Sequence, residues 1–493
     1  MTNKTYDVTY QRNDHKYATK DWSLVSDVCE GERKVKDKKD RYLPRPNPTD
    51  ESQKNKSRYE EFLKRAVFYN ATGRTLAALI GTVFRKVPTL VVPGAMDFVG
   101  SDIDGYGVSI YQQSQKTLAH VLMKGRKGLF VDHPQITGEL TVERKKSENI
   151  RARVICCEAE QVINWRVENI GGVSKLTLVV IAEQHQTVTQ DGFGVEHEPQ
   201  FRVLRLTNGV YYFEIWRKGE NSDIWDKVEG PHMPTTGRGK PWDVIPFTFV
   251  GAENNDTSID KPPLLDLANL NIAHYRNSAW FEDSAYFTGQ PQPYMTGLDT
   301  EWRDWLESQE IVIGSSTILP LPEGGTFGFA QVDPNSLAET AMEKKEEQMK
   351  TLGARLVQKG QAVKTATEAQ GDSENEHSVL SLVASNVSEA YTQALEWVAM
   401  FENVTGEIEY TLSQDFIEHT LDAQMLTALV GAWQAGRLPS SDFWMQMRKH
   451  GLVDPDKTDE ELDGEVEVMS SGLGLDLDDD NQDEDGGDER NAA

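Results

Sequence analysis

The segment Asp102-Ile103-Asp104-Gly105 sets two carboxylates ahead of a glycine, as the opening of a calcium loop does. Tyr106 and Gly107 then break the D-x-[DN]-x-[DN]-G pattern. The segment therefore reads as a structural turn. His185 and His197 flank an expected turn, where two imidazoles would begin a metal site, but solvated loop histidines are the commoner outcome. Cys29 and the vicinal pair Cys156-Cys157 fit neither a disulfide framework nor a zinc site. Gly237-Arg238-Gly239-Lys240-Pro241 lacks the spacing and the Ser/Thr of a phosphate loop, and Gly192-Phe193-Gly194 is half of a dinucleotide fingerprint. H-E-x-x-H, G-x-S-x-G and C-x-x-C do not occur. No catalytic residue, metal site or cofactor is expected. The abundant carboxylates still leave a carboxylate- or metal-dependent hydrolase open as an alternative.

Aromatic residues offer a different chemistry. Tyr275, Trp280, Phe281, Tyr286 and Phe287 would be stacking platforms for nucleic-acid bases if exposed. On a long amphipathic helix the same residues more often serve a core or a subunit interface. Charge argues against tight nucleic-acid binding: the 493-residue chain carries a formal −28, whereas a DNA-binding surface is basic. About half of that charge lies from Asp454 onward, where 17 Asp and Glu face one Lys and one Arg. No run of about 18 apolar residues suggests a membrane span. The N-terminus has no apolar core of a signal peptide, so the chain is expected to stay in the cytosol where it is made.

Several elements must position these residues. Residues 1–50 read as a polar N-terminal arm, extended at Tyr42-Leu43-Pro44-Arg45-Pro46-Asn47-Pro48. Residues 51–92 look helical, with Gly73 as a break, and 113–124 form another helix, after which 124–132 turns into a buried strand. Residues 150–250 are β-rich, with hairpin turns at Gly171-Gly172 and Asn208-Gly209, and read as a mostly antiparallel sheet with one wet face. Pro262-Pro263 opens a long helix, Leu264 to Phe287. A Gly/Pro-rich αβ insert follows, in which Trp302, Trp305, Phe327 and Phe329 need something to pack on. A second long helix starts near Ser336, with Asp333 or Ser336 as cap, an apolar stripe through Met342, Met349 and Leu352, and an expected Glu346–Lys350 pair. A polar stretch, 361–376, precedes a third long helix, 377–401; a strand, a helical hairpin and an acidic tail expected to be disordered complete the chain.

This order of parts resembles the portal subunit of tailed bacteriophages. Local sequence resembles a podovirus- and siphovirus-type portal family at Arg65 to Lys86 (RAVFYNATGRT, then GTVFRK), Asp102 to Gly107 (DIDGYG) and Gly125 to Asp132 (GRKGLFVD). Lys364 to Glu368 (KTATE) and Ile408 to Phe416 (IEYTLSQDF) are similar to stretches after the portal stem and its long kinked helix. The resemblance covers about residues 40–455. It implies a portal-like α+β fold: helices and a β-rich wing at 51–260, stem helix 1 at 261–287, a clip at 288–333, and stem helix 2 at 334–360. It continues with a channel loop at 361–376, the wing's long helix and strand at 377–417, a helical crown at 418–453 and the tail at 454–493. It also implies a homo-oligomeric ring, a dodecamer, at the capsid vertex of the virion. Double-stranded DNA would pass through it without tight binding during packaging and ejection. Partners would be the terminase motor, the tail adaptor and the major capsid protein. Channel-loop candidates are Lys359, Gly360, Lys364, Thr365, Thr367 and Glu368; stem residues that would face the channel or a neighbour are Lys344, Lys345 and Lys350. The competing non-enzymatic reading is another head-to-tail or scaffold protein of the virion.

Overall fold

In the computed structural model, residues 7–134, 144, 147–219, 224–289, 292–297, 299–308, 321–330, 336–357, 378–414, 416, 423–449, 452–454 and 457–472 are described. The N-terminal region corrects the expectation of an extended arm. It holds α1 (Asn13–Glu30) and α2 (Glu32–Asp37), separated by Gly31 at φ +98°. Trp22, Val25 and Val28 recur at a spacing of three and are fully buried, so this segment belongs to the core. The Tyr42 hydroxyl donates to Asp27 (2.6 Å) and the Tyr59 hydroxyl to the Leu43 carbonyl (2.8 Å), holding the following chain in place.

Helices α3 (Gln53–Arg65) and α4 (Ala71–Val83) start at side-chain caps from Ser52 and Asn70. Gly73 does not break the helical run as expected. It sits in the first turn of α4, where a Cβ would come within 2.8 Å of the Cys29 carbonyl. The break falls instead at 66–70. Helix α5 (Ile110–Lys124) opens on a Ser109/Gln112 capping box and ends at Gly125, left-handed at φ +69°.

Strand β1 (Thr89–Val91) pairs far along the chain with β12 (Glu409–Thr411). Strands β2 (Arg126–Asp132), β3 (Arg153–Cys157) and β9 (Phe247–Gly251) form an antiparallel sheet in the order β3-β2-β9. Helix α5 and the helix Val379–Glu402 pack on it. The second sheet is an antiparallel meander of β4 (Val162–Ile170), β5 (Val173–Val188), β6 (Val195–Thr207), β7 (Val210–Lys218) and β8 (Trp225–His232). Its turns include Gly171-Gly172 and Asn208-Gly209, all with positive φ. The inner stretch packs Val179, Ile181, Leu204 and Phe213 into the core, while the outer reach of β4, β5, β6 and β8 is largely exposed. The single expected sheet with one wet face is thus two sheets, the longer one projecting past the core that covers its inner part.

Helix α6 (Leu265–Thr288) leads to β10 (Gln292–Thr296), α7 (Thr300–Ser308) and β11 (Thr326–Ala330), and the chain returns on α8 (Ser336–Arg355). Helix α9 (Val379–Glu402) starts at a Ser378 cap that accepts from the Ser381 amide. The chain divides into two compact units, Met1–Gln414 and Asp415–Ala493. The second unit contains α10 (Ala423–Gln434), α11 (Ser440–Lys449) and α12 (Asp459–Gly472). Phe443, Trp444, Met447 and Leu462 form its core, and the Trp444 indole donates to Asp463 (2.6 Å). The acidic segment beyond Asp454 is therefore helical over Asp459–Gly472, because Leu462 supplies an apolar anchor that composition alone hides.

Candidate functional site

The paired helices α6 and α8 are the feature around which the expected site residues gather. They pack along one another, and β10 and β11 pair antiparallel between their ends, from Gln292↔Ala330 to Thr296↔Thr326. Polar contacts set the position of α6. Fully buried Asn271 accepts from the Thr72 amide and hydroxyl (3.0 and 2.9 Å) and donates to the Tyr69 carbonyl (2.8 Å). Buried His274 reaches Glu346 of α8 through Nε2 (3.3 Å). Near the far end, buried Asp283 takes two hydrogen bonds from Arg58 (2.9 and 2.5 Å) and one from Arg65 (3.0 Å). Those guanidinium groups also lie over Phe287 (4.8 Å) and Tyr286 (4.3 Å) of the same helix. Burial alone would raise the Asp283 carboxyl, yet Arg58 and Arg65 hold it below the usual carboxylate range.

The helix aromatics divide by environment. Tyr275 is fully buried, edge-on to Phe68 at 5.6 Å, and Trp280 is half exposed against Phe62 at 5.1 Å. In the insert, Trp302 meets Trp305 at 5.2 Å on α7, and Phe327 meets Phe329 at 5.1 Å on β11. Trp305 and Phe329 stay exposed. Of the expected basic residues, Lys344 is exposed and half-buried Lys345 donates to the Ala341 carbonyl at 3.5 Å. Lys350 lies 4.0 Å from Glu347, not Glu346 as expected, because Glu346 turns to His274. Lys359, Gly360, Lys364, Thr365, Thr367 and Glu368 lie outside the described residues.

Burial lowers the His274 pKa, and Glu346 only partly offsets this. A histidine with a depressed folded-state pKa leaves stability intact above its unfolded value, about 6.5, and costs stability as pH falls below it. Urea midpoints should therefore fall between pH 7 and 5. Glu346→Gln should steepen that fall and cost a further ~0.5–1 kcal/mol at pH 5. An unchanged profile in His274→Gln would assign the effect to other groups.

The Asp102 turn is built by its own side chains. Asp102 Oδ1 accepts from the Gly105 and Gly107 amides (2.7 and 2.9 Å), and Asp104 accepts from Tyr106 and Val108 (2.8 and 3.2 Å). The other Asp102 oxygen pairs with Arg151. With those oxygens engaged, the loop is a folded turn. Asp102→Asn is expected to lower stability by ~1–2 kcal/mol in urea unfolding, through the Arg151 pair and a weaker acceptor. His185 and His197 lie within β5 and β6, opposite Glu198 and Gln186 respectively. Among the described residues no group of three or more His, Cys, Asp or Glu is gathered to hold a metal ion. The Gly237–Lys240 loop packs on the end of α9: the Gly237 amide donates to Met400 (3.0 Å) and Arg238 to Asn403 (2.8 Å). Burial raises all three thiols, Cys29 to about 12. Among the described residues no helix is long and apolar enough to cross a membrane.

Residues 263–402, from the start of α6 to the end of α9, match the model of a domain of unknown function, DUF4055. No curated protein matches the chain. Among solved structures the chain is similar to one from the virion of a native gene transfer agent particle, at 15% identity and TM-score 0.39, covering 77% of this chain and 90% of that one. It is also similar to one from the neck of the native particle computed with C12 symmetry, at 14% identity and TM-score 0.36, covering 76% and 89%. A third, from the neck of the empty particle computed with C6 symmetry, has 13% identity and TM-score 0.37, covering 79% and 92%.

Proposed function

We propose that the chain is a portal subunit: one member of a closed ring, of twelve copies by the sequence resemblance, at the capsid vertex of a virion. The observation that carries this reading is the helix–insert–helix arrangement. Two long helices, Leu265–Thr288 and Ser336–Arg355, pack side by side, and an antiparallel strand pair joins their ends. In this reading α6 and α8 are the stem and 288–333 is the clip that receives a tail adaptor. The clip's exposed Trp305 and Phe329 suit a docking surface. The wing is 51–260 with 377–417, the channel loop is 361–376 and the crown is 418–453. The tail from 454 onward faces the packaged DNA.

Physical chemistry supports a conduit. Duplex DNA must slide, so dense phosphate neutralisation would stall it, and a chain of net charge −28 lacks that hold. The exposed Lys344 and Lys350 would supply weak, movable contacts. A separate terminase would drive translocation, and the major capsid protein would surround the ring. Negative-stain microscopy with mass photometry tests the reading. Rings with a central hole are expected; a uniform population of monomers without one would overturn it.

A further inference from the structure

Helix α6 is covered on most sides by α1, α3, α4 and α8 of its own chain. One stripe is left over. Ala273, Trp280 and Ser284 recur along it at helical spacing, with Arg276 at its edge. None of them is buried, and Trp280 is 51% exposed. A helix side turned to water usually carries charge, whereas this one presents small residues around an indole. Phe62 lies against that indole at 5.1 Å and holds it in place. Two donors on this side lack acidic partners. Among the described residues the Trp280 N–H meets no acceptor and no carboxylate pairs with Arg276. The Arg276 Nε donates to the Tyr42 carbonyl (2.8 Å), which leaves the outer nitrogens of the guanidinium for a further partner.

Helix α8 shows the converse. Glu339 and Glu343 are exposed one turn apart. Among the described residues the ion pairs of α8 go to Glu346, from His274, and to Glu347, from Lys350. Glu339 and Glu343 are left as carboxylates without a cation. The spacing of donors and acceptors agrees. His274 and Glu346 mark one level of the helix pair. From that level Arg276 stands two residues toward the insert and Trp280 six; on the returning helix Glu343 stands three and Glu339 seven. Each donor is therefore within one residue, about 1.5 Å, of the height of an acceptor. They do not meet inside one chain, because Arg276 and Trp280 lie round the helix from His274, on a side turned away from α8.

From this register we infer that the open stripe of α6 packs against α8 of a second copy, with Arg276 pairing to Glu343 and the Trp280 N–H donating to Glu339. Rotation about an axis along the helices keeps every residue at its own height, so a cyclic ring brings equal levels together. Donors and acceptors lie on different surfaces of the chain, so the contact is heterologous and repeats until the ring closes. The inference rests on the ring reading and names the residues that would join its subunits.

Cross-linking and charge reversal in the full chain test it. Ser284 and Ser336 stand at a further matching level, ten residues from His274 and from Glu346. Ser284→Cys and Ser336→Cys are made singly and together and oxidised with copper phenanthroline. A ladder of covalent oligomers is expected from the double variant alone, the single variants controlling for the native thiols. The concentration for half-assembly, read by mass photometry, should rise about 30-fold in Trp280→Ala and about 10-fold in Arg276→Glu. Combining Arg276→Glu with Glu343→Arg should return it close to the wild-type value, a rescue that a purely structural role of Arg276 would not give. Rings by microscopy without a ladder, and with Arg276→Glu assembling normally, would overturn the contact and leave the ring reading standing. Monomers throughout would overturn both.

Discussion

Asp283→Ala is expected to lower the unfolding free energy of the first unit by about 3 kcal/mol, measured as a shift in urea midpoint at pH 7. The carboxylate is buried and is the acceptor for both Arg58 and Arg65, whose side chains are 33% and 21% exposed. Its removal strands two guanidinium charges against the apolar flank of α6 and loosens their stacking on Phe287 and Tyr286. Asp283→Asn keeps the shape but loses the charge, so an intermediate loss is expected. The pH dependence has a definite sign. The folded carboxyl has a depressed pKa, so its contribution is present above the unfolded value, about 3.9, and is lost as pH falls through the folded value. The gap between wild type and Asp283→Asn should therefore close in acid. A gap that persists at pH 2 would mean that packing rather than charge holds the helix.

Gly251→Ala should be as damaging, by about 3 kcal/mol or more, for a reason unrelated to charge. Gly251 ends β9, and a Cβ there would lie 1.9 Å from the Asn254 carbonyl and 2.5 Å from an Asp260 oxygen. Neither can swing aside. Asp260 accepts from the Glu253 amide (2.8 Å), and the Gly251 carbonyl accepts from Asn386 of α9 (3.0 Å). The added methyl must push the loop off the sheet and α9 off the loop. Lower soluble yield and a melting temperature depressed by several degrees are expected. A variant that melts like wild type would show that the 252–260 loop relaxes at little cost. Gly81→Ala is the matched control, since a Cβ there meets nothing within 4 Å.

The long helices were legible because their signals are local. Pro262-Pro263 opens α6, apolar residues recur at helical spacing, and Ser336 begins α8 where its capping signals lie. The strands at 126–132 and around Asn208-Gly209 were legible for the same reason: a continuous apolar run and a turn that requires positive φ at both residues. What failed was context. Residues 13–37 look polar because 32–41 are crowded with charge, and that charge masks the Trp22, Val25, Val28 spacing that builds α1. Composition beyond Asp454 likewise masked Leu462, whose worth depends on Phe443, Trp444 and Met447 standing opposite it.

The types and order of the long helices and the hairpin strands, the absence of familiar catalytic motifs and the acidic balance thus came from the sequence by itself, since propensity, periodicity and charge are properties of short segments. Only the tertiary structure decided partners. Nothing near Asp283 in sequence announces Arg58 and Arg65, more than 200 positions away. The expected Glu346–Lys350 pair gave way to His274, because a buried imidazole across the helix interface competes better for a carboxylate than an exposed lysine one turn along. Pairings of that kind are settled by which surfaces the fold brings together, and that follows from the burial of the whole core rather than from any one segment.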